Sequence, residues 1–224
     1  MNPEELTGQA RTHIVDLPDP PCLLHAHVLT PFLGLRRAAA AAGMDLAAQS
    51  SFRDFQRQLA IWNGKFSGTR PMYDAAGSII ETAALTPAAR IDAILLWSAL
   101  PGASRHHWGT DMDLIDRNAT APGYQVQLTH AEFSAGGPFA ALNGWLDANA
   151  ARFGFFRPYQ GVRSGVQPEP WHFSFAPVAE NARRDLTPQI LRAAIEAAPL
   201  LGKELVLARL EELHQRYVAR IDPP

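Results

Sequence analysis

Cysteine is all but missing from this chain of 224 residues: Cys22 is the single one. One cysteine excludes an intrachain disulfide and any zinc site built from thiolates. It reads as a small, half-buried hydrophobe, the usual fate of a free cysteine, rather than as a nucleophile. Charge is sparse and balanced, with 20 basic residues against 22 acidic ones and a net charge of −2. Such a chain lacks the broad basic surface that grips nucleic acid. No run approaches the roughly 18–20 apolar residues of a membrane span. The opening MNPEELTGQARTHIVDLPDPP shows no basic stretch leading into an apolar one. The expectation is a cytoplasmic protein with no membrane or nucleic-acid partner, or a periplasmic one if a leader has been removed. The glycine-rich signatures of dinucleotide and nucleotide binding are absent, and no internal repeat appears.

About half of the chain is apolar, enough for a sizeable core. Residues 1–21 are polar and proline-rich and read as an irregular arm. TPFLGLRRAAAAAGM (30–44) reads as a helix capped by Thr30, with Pro31 in its first turn and Gly43 at its stop. DLAAQSSFR follows as a strand. DFQRQLAIWNGKF is a helix with Phe55, Leu59, Trp62 and Phe66 on one core-facing side. Residues 67–85 read as a long loop, and TPAARIDAILLWSAL (86–100) as a second strong helix. GTDMDLID alternates like a strand, Thr129 and Glu132 form a capping box, and GPFAALNGWLDANAARFGF holds a further helix. Short strands are expected at FGFF and WHFSF, and helix from Pro177 onward. There Val206, Leu210, Leu213, Tyr217 and Ile221 form an apolar stripe, fit to pack on the main domain or to build a homodimer. Helices early and late with short strands between predict an α+β fold: a small antiparallel sheet flanked by helices. The expected divisions are an arm (1–21), a main domain (22–176) and a helical extension (177–224).

The chemistry concentrates in SRHHWGTDMDLID, residues 104–116, which gathers two histidines and three aspartates around one glycine. Zinc takes nitrogen and oxygen ligands in a tetrahedral set and, when catalytic, keeps one position for water. A strand turns residues i and i+2 to one face, so Asp111 and Asp113 point the same way. His106 sits in the turn before Gly109. One histidine and one aspartate from this segment can therefore meet one ion. QPEPWHFSF (167–175) offers the missing partner: His172 as ligand and Glu169 as a base for the water. Their spacing of three would oppose them in a regular strand, but Pro170 breaks the ladder there.

Three blocks together resemble the VanY-like D-alanyl-D-alanine carboxypeptidases, relatives of lysostaphin-type peptidases and the hedgehog domain. Ser104-x-His106-x-x-Gly109-x-Asp111-x-Asp113 follows their SxHxxGxAxD pattern, Glu169-Pro170-Trp171-His172 their EPWH, and Ser51-Phe52-Arg53 with Gln58 their upstream segment. The resemblance spans roughly residues 45–176. It implies one Zn2+ per chain on His106, Asp113 and His172, with Glu169 as catalytic base. It also implies that Arg53, Gln58 and Ser104 grip the substrate's terminal carboxylate. The substrate class it implies is the peptidoglycan stem peptide. A cytoplasmic place favours an L,D-carboxypeptidase that trims muropeptide tetrapeptide to tripeptide in murein recycling. The alternatives are a D,D-carboxypeptidase, a D-Ala-D-Ala dipeptidase, a stem-peptide endopeptidase, or a non-catalytic zinc module.

Asp111 departs from the pattern, which has a small residue there. It orients a ligand histidine or serves as a structural acid, in preference to meeting a positive group of the substrate. His107 is expected to be solvated or stacked rather than a fourth ligand. Arg53 is read as substrate-binding over a helix-start ion pair, and Trp171 equally as core or as pocket wall. His25 and His27, although i, i+2, lack a partner motif and read as ordinary histidines.

Overall fold

A computed structural model describes residues 1–161 and 163–224. The first residues are not an irregular arm. Asn2 and Glu5 cap a short helix α1 (Pro3–Leu6) reciprocally, an N-x-x-E box. Strand β1 (Ile14–Pro18) then pairs antiparallel with β2 (Pro21–His25), turning at Asp19-Pro20. Helix α2 (Leu29–Ala41) starts one residue before the expected Thr30 cap, continuing from a one-turn helix at Ala26–Val28 and using no side-chain cap.

β3 (Leu46–Ser50) leads to α3 (Phe55–Ser67), which Asp54 caps by accepting from Arg57 N–H at 2.7 Å. Phe55, Leu59 and Trp62 are buried as the periodicity required. The stretch expected as loop holds a hairpin, β4 (Met72–Tyr73) with β5 (Ile79–Ile80), whose turn is built on the Asp74 carboxylate. α4 (Pro87–Leu95) ends before Leu100. After β6 (Asp111–Asp116) come α5 (His130–Phe133), α6 (Ala140–Asn149), β7 (Phe155–Phe156) and β8 (His172–Phe175). The chain closes with α7 (Ala176–Asp185), α8 (Pro188–Glu196), α9 (Lys203–Ala208), α10 (Leu210–His214) and a π-helical turn, Gln215–Ala219.

The α+β expectation holds. The main sheet is antiparallel in the order β3-β6-β8-β7, with β6 buried along its whole length. Alternation along β6 and β8 divides the sheet's faces. Met112, Leu114, Phe173 and Phe175 turn to a core made with Phe32 and Leu35 of α2 and Leu142 and Leu146 of α6. Asp111, Asp113, His172 and Ser174 turn the other way. A second core joins α3 and α4 to the C-terminal helices. The stripe Val206, Leu210, Leu213, Tyr217 and Ile221 is buried in that core, so the chain's own packing uses it and a homodimer is not what covers it. Among the described residues, no helix is long and apolar enough to cross a membrane.

The N-terminal hairpin supports the motif loop directly. Gly109 closes the one-turn helix Arg105–Trp108 in the left-handed region, at φ 64°, and its carbonyl accepts from His25 N–H at 2.9 Å. A Cβ there would strike the Ile14 side chain and come within 2.6 Å of the His25 nitrogen. Gly109→Ala combines a disfavoured φ with backbone overlap, so a loss of about 2–4 kcal/mol is expected. A urea titration of the variant should show that loss as a lower midpoint; an unchanged midpoint would contradict the close approach.

Candidate metal centre

Three elements deliver the cluster. His106 stands on the one-turn helix Arg105–Trp108, Asp113 in the middle of β6 and His172 at the start of β8. Asp113 lies directly opposite His172 in the antiparallel register, the closest pairing two strands offer. All three are buried, and one ligand atom from each lies within 4.8 Å of the others. His106 Nε2 is 3.6 Å from Asp113 Oδ2, and His172 Nδ1 is 3.3 Å from Asp113 Oδ1.

The hydrogen bonds around the cluster fix which ring nitrogens face inward. His106 Nδ1 lies 2.8 Å from the Ser51 carbonyl, which only accepts, so Nδ1 carries the proton and Nε2 presents a lone pair. His172 is used the other way round. Its Nε2 is 2.9 Å from Asp111 Oδ1, which leaves Nδ1 free toward Asp113. Asp113 Oδ1 is buried with no aligned hydrogen-bond donor. An orphaned carboxylate oxygen between two inward lone pairs suits a cation, and the N2O donor set is one that zinc accepts. Charge agrees with geometry. Burial lowers the pKa of the His172 imidazole, but the Asp111 and Asp113 carboxylates outweigh burial and push it up to about 10.

Glu169 approaches the same point. A tight turn, with His172 N–H donating to the Glu169 carbonyl at 3.1 Å, brings residues three apart to one side. This is the break in the ladder that Pro170 predicts. Glu169 Oε2 lies 3.3 Å from His172 Nδ1, and 13% of its side chain is exposed. Burial pushes its carboxyl up to about 7; Asp113 adds to this, while His172, Arg53 and Lys65 oppose it.

The cluster opens on a cavity of about 740 Å3 lined by Arg53, Ser104, Glu169 and Trp171 among others. Trp171 is both wall and core, packed against Phe133 at 5.6 Å between ring centroids. Gln58 is placed otherwise than expected. It is fully buried behind Arg53, accepting from Arg53 Nη1 at 2.9 Å and donating to the Ala99 carbonyl at 2.7 Å. Through these bonds Gln58 holds Arg53 from behind. Asp111 is fully buried and accepts from Arg105, His172, Thr110 and Ser174.

His107 is neither solvated nor a fourth ligand. Its Nε2 accepts from Gly102 N–H at 3.1 Å and its Nδ1 donates to the Arg53 carbonyl at 2.6 Å. His25 and His27 lie ring to ring, centroids 5.1 Å apart, and neither belongs to the ligand cluster.

Several lining residues escaped the motif reading. Lys65 donates to Ser98 Oγ at 2.6 Å, and burial brings its pKa down to about 8. It lies seven residues after Gln58 on α3, so helical phase was a signal for it. Tyr159 reaches the cavity from the segment after β7, and Tyr217 and Val218 reach it from the π-helical turn. Nothing in their local sequence marks them.

The VanY profile, described as D-alanyl-D-alanine carboxypeptidase, matches residues 22–178, well over half of the chain. An uncharacterized protein of Haemophilus influenzae is 36% identical over 121 residues, covering 53% of this chain and 92% of its own length. A D-alanyl-D-alanine carboxypeptidase of Enterococcus faecalis is 28% identical over 151 residues, 66% of this chain and 46% of the enterococcal protein. Among solved structures, the vancomycin resistance D,D-pentapeptidase VanY of a VanB-type cassette, in complex with Zn(II), is 25% identical. It superposes with a TM-score of 0.51 over 76% of this chain and 82% of its own. A metal-dependent peptidase is the class that fold and centre define. The chain belongs to the VanY family of D-alanyl-D-alanine carboxypeptidases.

Both nitrogens of His107 are committed while its ring is neutral, so protonation would set an N–H against the Gly102 N–H. Burial lowers its pKa from 6.5 to about 3. Between those values the unfolded chain takes up a proton that the folded one refuses, so His107 subtracts stability as pH falls. Urea midpoints measured from pH 7 to pH 4 should decline, and less steeply in a His107→Asn variant. Parallel declines would show that His107 does not set the acid limit.

Proposed function

We propose that this chain is a zinc-dependent carboxypeptidase that removes the terminal D-alanine from peptidoglycan stem peptides. The observation carrying this is the shared cavity. Glu169 Oε2 sits 3.3 Å from an inward-facing nitrogen of the ligand cluster, and a guanidinium held by Gln58 lines the same space. Zinc, when bound to His106, Asp113 and His172, supplies a Lewis acid that polarises the scissile carbonyl and acidifies a water.

The protein's own groups carry the rest. Glu169, at the edge of the ligand cluster, takes a proton from the attacking water and returns it to the departing amine. Arg53 pairs with the substrate's terminal carboxylate. Its Nη1 is fixed by Gln58 and its Nη2 lies 3.3 Å from Ser50 Oγ, so the guanidinium is held before substrate arrives. Ser104, on the cavity wall, orients the peptide. A clamp on a terminal carboxylate selects chain ends, because a peptide continuing past the cut has no carboxylate there.

The finer assignment is L,D cleavage: tetrapeptide to tripeptide, cutting between the L-centre of diaminopimelate or lysine and D-Ala. It would suit a protein acting in the cytoplasm, where D,D cleavage would destroy the pentapeptide precursor of the wall. The second reading, D,D cleavage of pentapeptide, is favoured by the family match itself.

Zinc-loaded protein incubated separately with tetrapeptide and pentapeptide muropeptides, with products weighed by mass spectrometry, distinguishes the two. Tripeptide from tetrapeptide is expected; tetrapeptide from pentapeptide alone would establish the D,D reading. Glu169→Ala is expected to keep its zinc and lose about 10²–10⁴-fold in kcat. Arg53→Ala should lose about 10- to 100-fold in kcat/KM, the worth of a charged hydrogen-bond pair. Full turnover in either variant would reject that residue's role.

A further inference from the structure

At position 111 the family pattern has a small residue, and this chain has an aspartate with no access to solvent. Its surroundings are built for it. Asp111 Oδ1 accepts from Arg105 Nε at 2.7 Å and lies 2.9 Å from His172 Nε2. Asp111 Oδ2 accepts from Thr110 Oγ1 at 2.5 Å and from Ser174 Oγ at 3.0 Å. An ionised carboxylate has about four acceptor sites, and all are filled. Arg105 is itself buried, with its guanidinium carbon 4.9 Å from the centroid of the Trp108 ring and its Nη2 2.5 Å from Ser174 Oγ.

We propose that Arg105 and Asp111 act as one positioning unit that locks His172 in its Nε2–H tautomer and so strengthens the hold of the centre on its metal ion. This rests on the reading of His106, Asp113 and His172 as a zinc site. Neutral imidazole has two tautomers, and only one leaves Nδ1 unprotonated toward Asp113. A carboxylate that can only accept selects that tautomer and fixes the plane of the ring. Arg105 supplies the countercharge. Without it, Asp111 would be a lone buried anion beside the ligand; with it, the pair is neutral and Asp111 is held by a buried guanidinium stacked on Trp108. Ser174 ties the unit to β8, two residues beyond the histidine it orients. A plain structural ion pair would contribute to stability while leaving the tautomer and the metal affinity untouched.

The test compares wild type, Asp111→Asn, Asp111→Ala and the double variant Arg105→Met/Asp111→Ala, which removes the pair without leaving a buried charge. Zinc affinity is measured by competition with a chromophoric chelator, and folding by near-ultraviolet circular dichroism. Loss of an orienting partner of this kind costs about 10- to 100-fold in metal affinity. That loss is expected in Asp111→Ala and in the double variant, with Asp111→Asn between them and wild type. Proton–nitrogen NMR of the zinc-loaded wild type should show His172 protonated at Nε2, and that signal should vanish or exchange rapidly in the double variant. A folded double variant that binds zinc as tightly as wild type overturns the proposal. So does a wild-type His172 protonated at Nδ1, whatever the variants do. If the wild type takes up no zinc at all, the metal centre itself is refuted instead.

Discussion

The register between β6 and β8 is the constraint on which the site depends. Asp113 faces His172 across the sheet, and Asp111 faces Ser174, because Met112 faces Phe173 between them. A slip of β6 by one residue would turn both aspartates toward the apolar core and Met112 and Leu114 toward the cavity. The apolar face prevents it: Met112, Leu114 and Phe173 are buried against α2 and α6. Side chains of this kind contribute about 1.5–3 kcal/mol each on burial.

Crowded buried carboxylates must nevertheless be matched, since a buried charge is tolerated only when paired or metal-bound. The chain meets this in two ways. Asp111 is saturated by an arginine, a histidine and two hydroxyls. Asp113 keeps one oxygen without a donor, beside two inward imidazole nitrogens. Two aspartates two residues apart on one strand thus have opposite fates, one closed by protein donors and one left open for an ion. Glu169, neighbouring both His172 and Asp113 in a mostly buried position, is the carboxylate pushed toward neutrality.

The segments flanking the motif blocks belong to the same structure as the centre. Trp108, within the motif, donates its indole N–H to the Leu6 carbonyl of α1 at 3.0 Å. Gly109 rests on the β1–β2 hairpin. At the other end, Tyr217 and Val218 form part of the cavity wall. They do so from a π-helical turn, a distortion that recurs at functional sites.

Much of this was legible along the chain because it is local. Period-two alternation in DMDLID and the four-and-three spacing of α3 named their elements. Residue types whose chemistry is distinctive, the histidines, Asp113 and Glu169, marked the centre. What misled was also local: the Asn2 cap box and the short hairpins were lost among prolines and glycines. Gln58 carried a motif signal, but only packing shows it behind Arg53 rather than in the cavity. His107 looked like a surface neighbour of a ligand and is a fully committed core residue. The sequence alone determined which side chains have the chemistry to hold an ion and move a proton. The tertiary structure decided which nitrogen of each ring faces inward, which aspartate remains open and which residues wall the cavity. Those outcomes depend on hydrogen-bond partners 50 to 70 positions away, Ser51 for His106 and Asp111 for His172 among them. No pattern of neighbouring residues encodes contacts at that range.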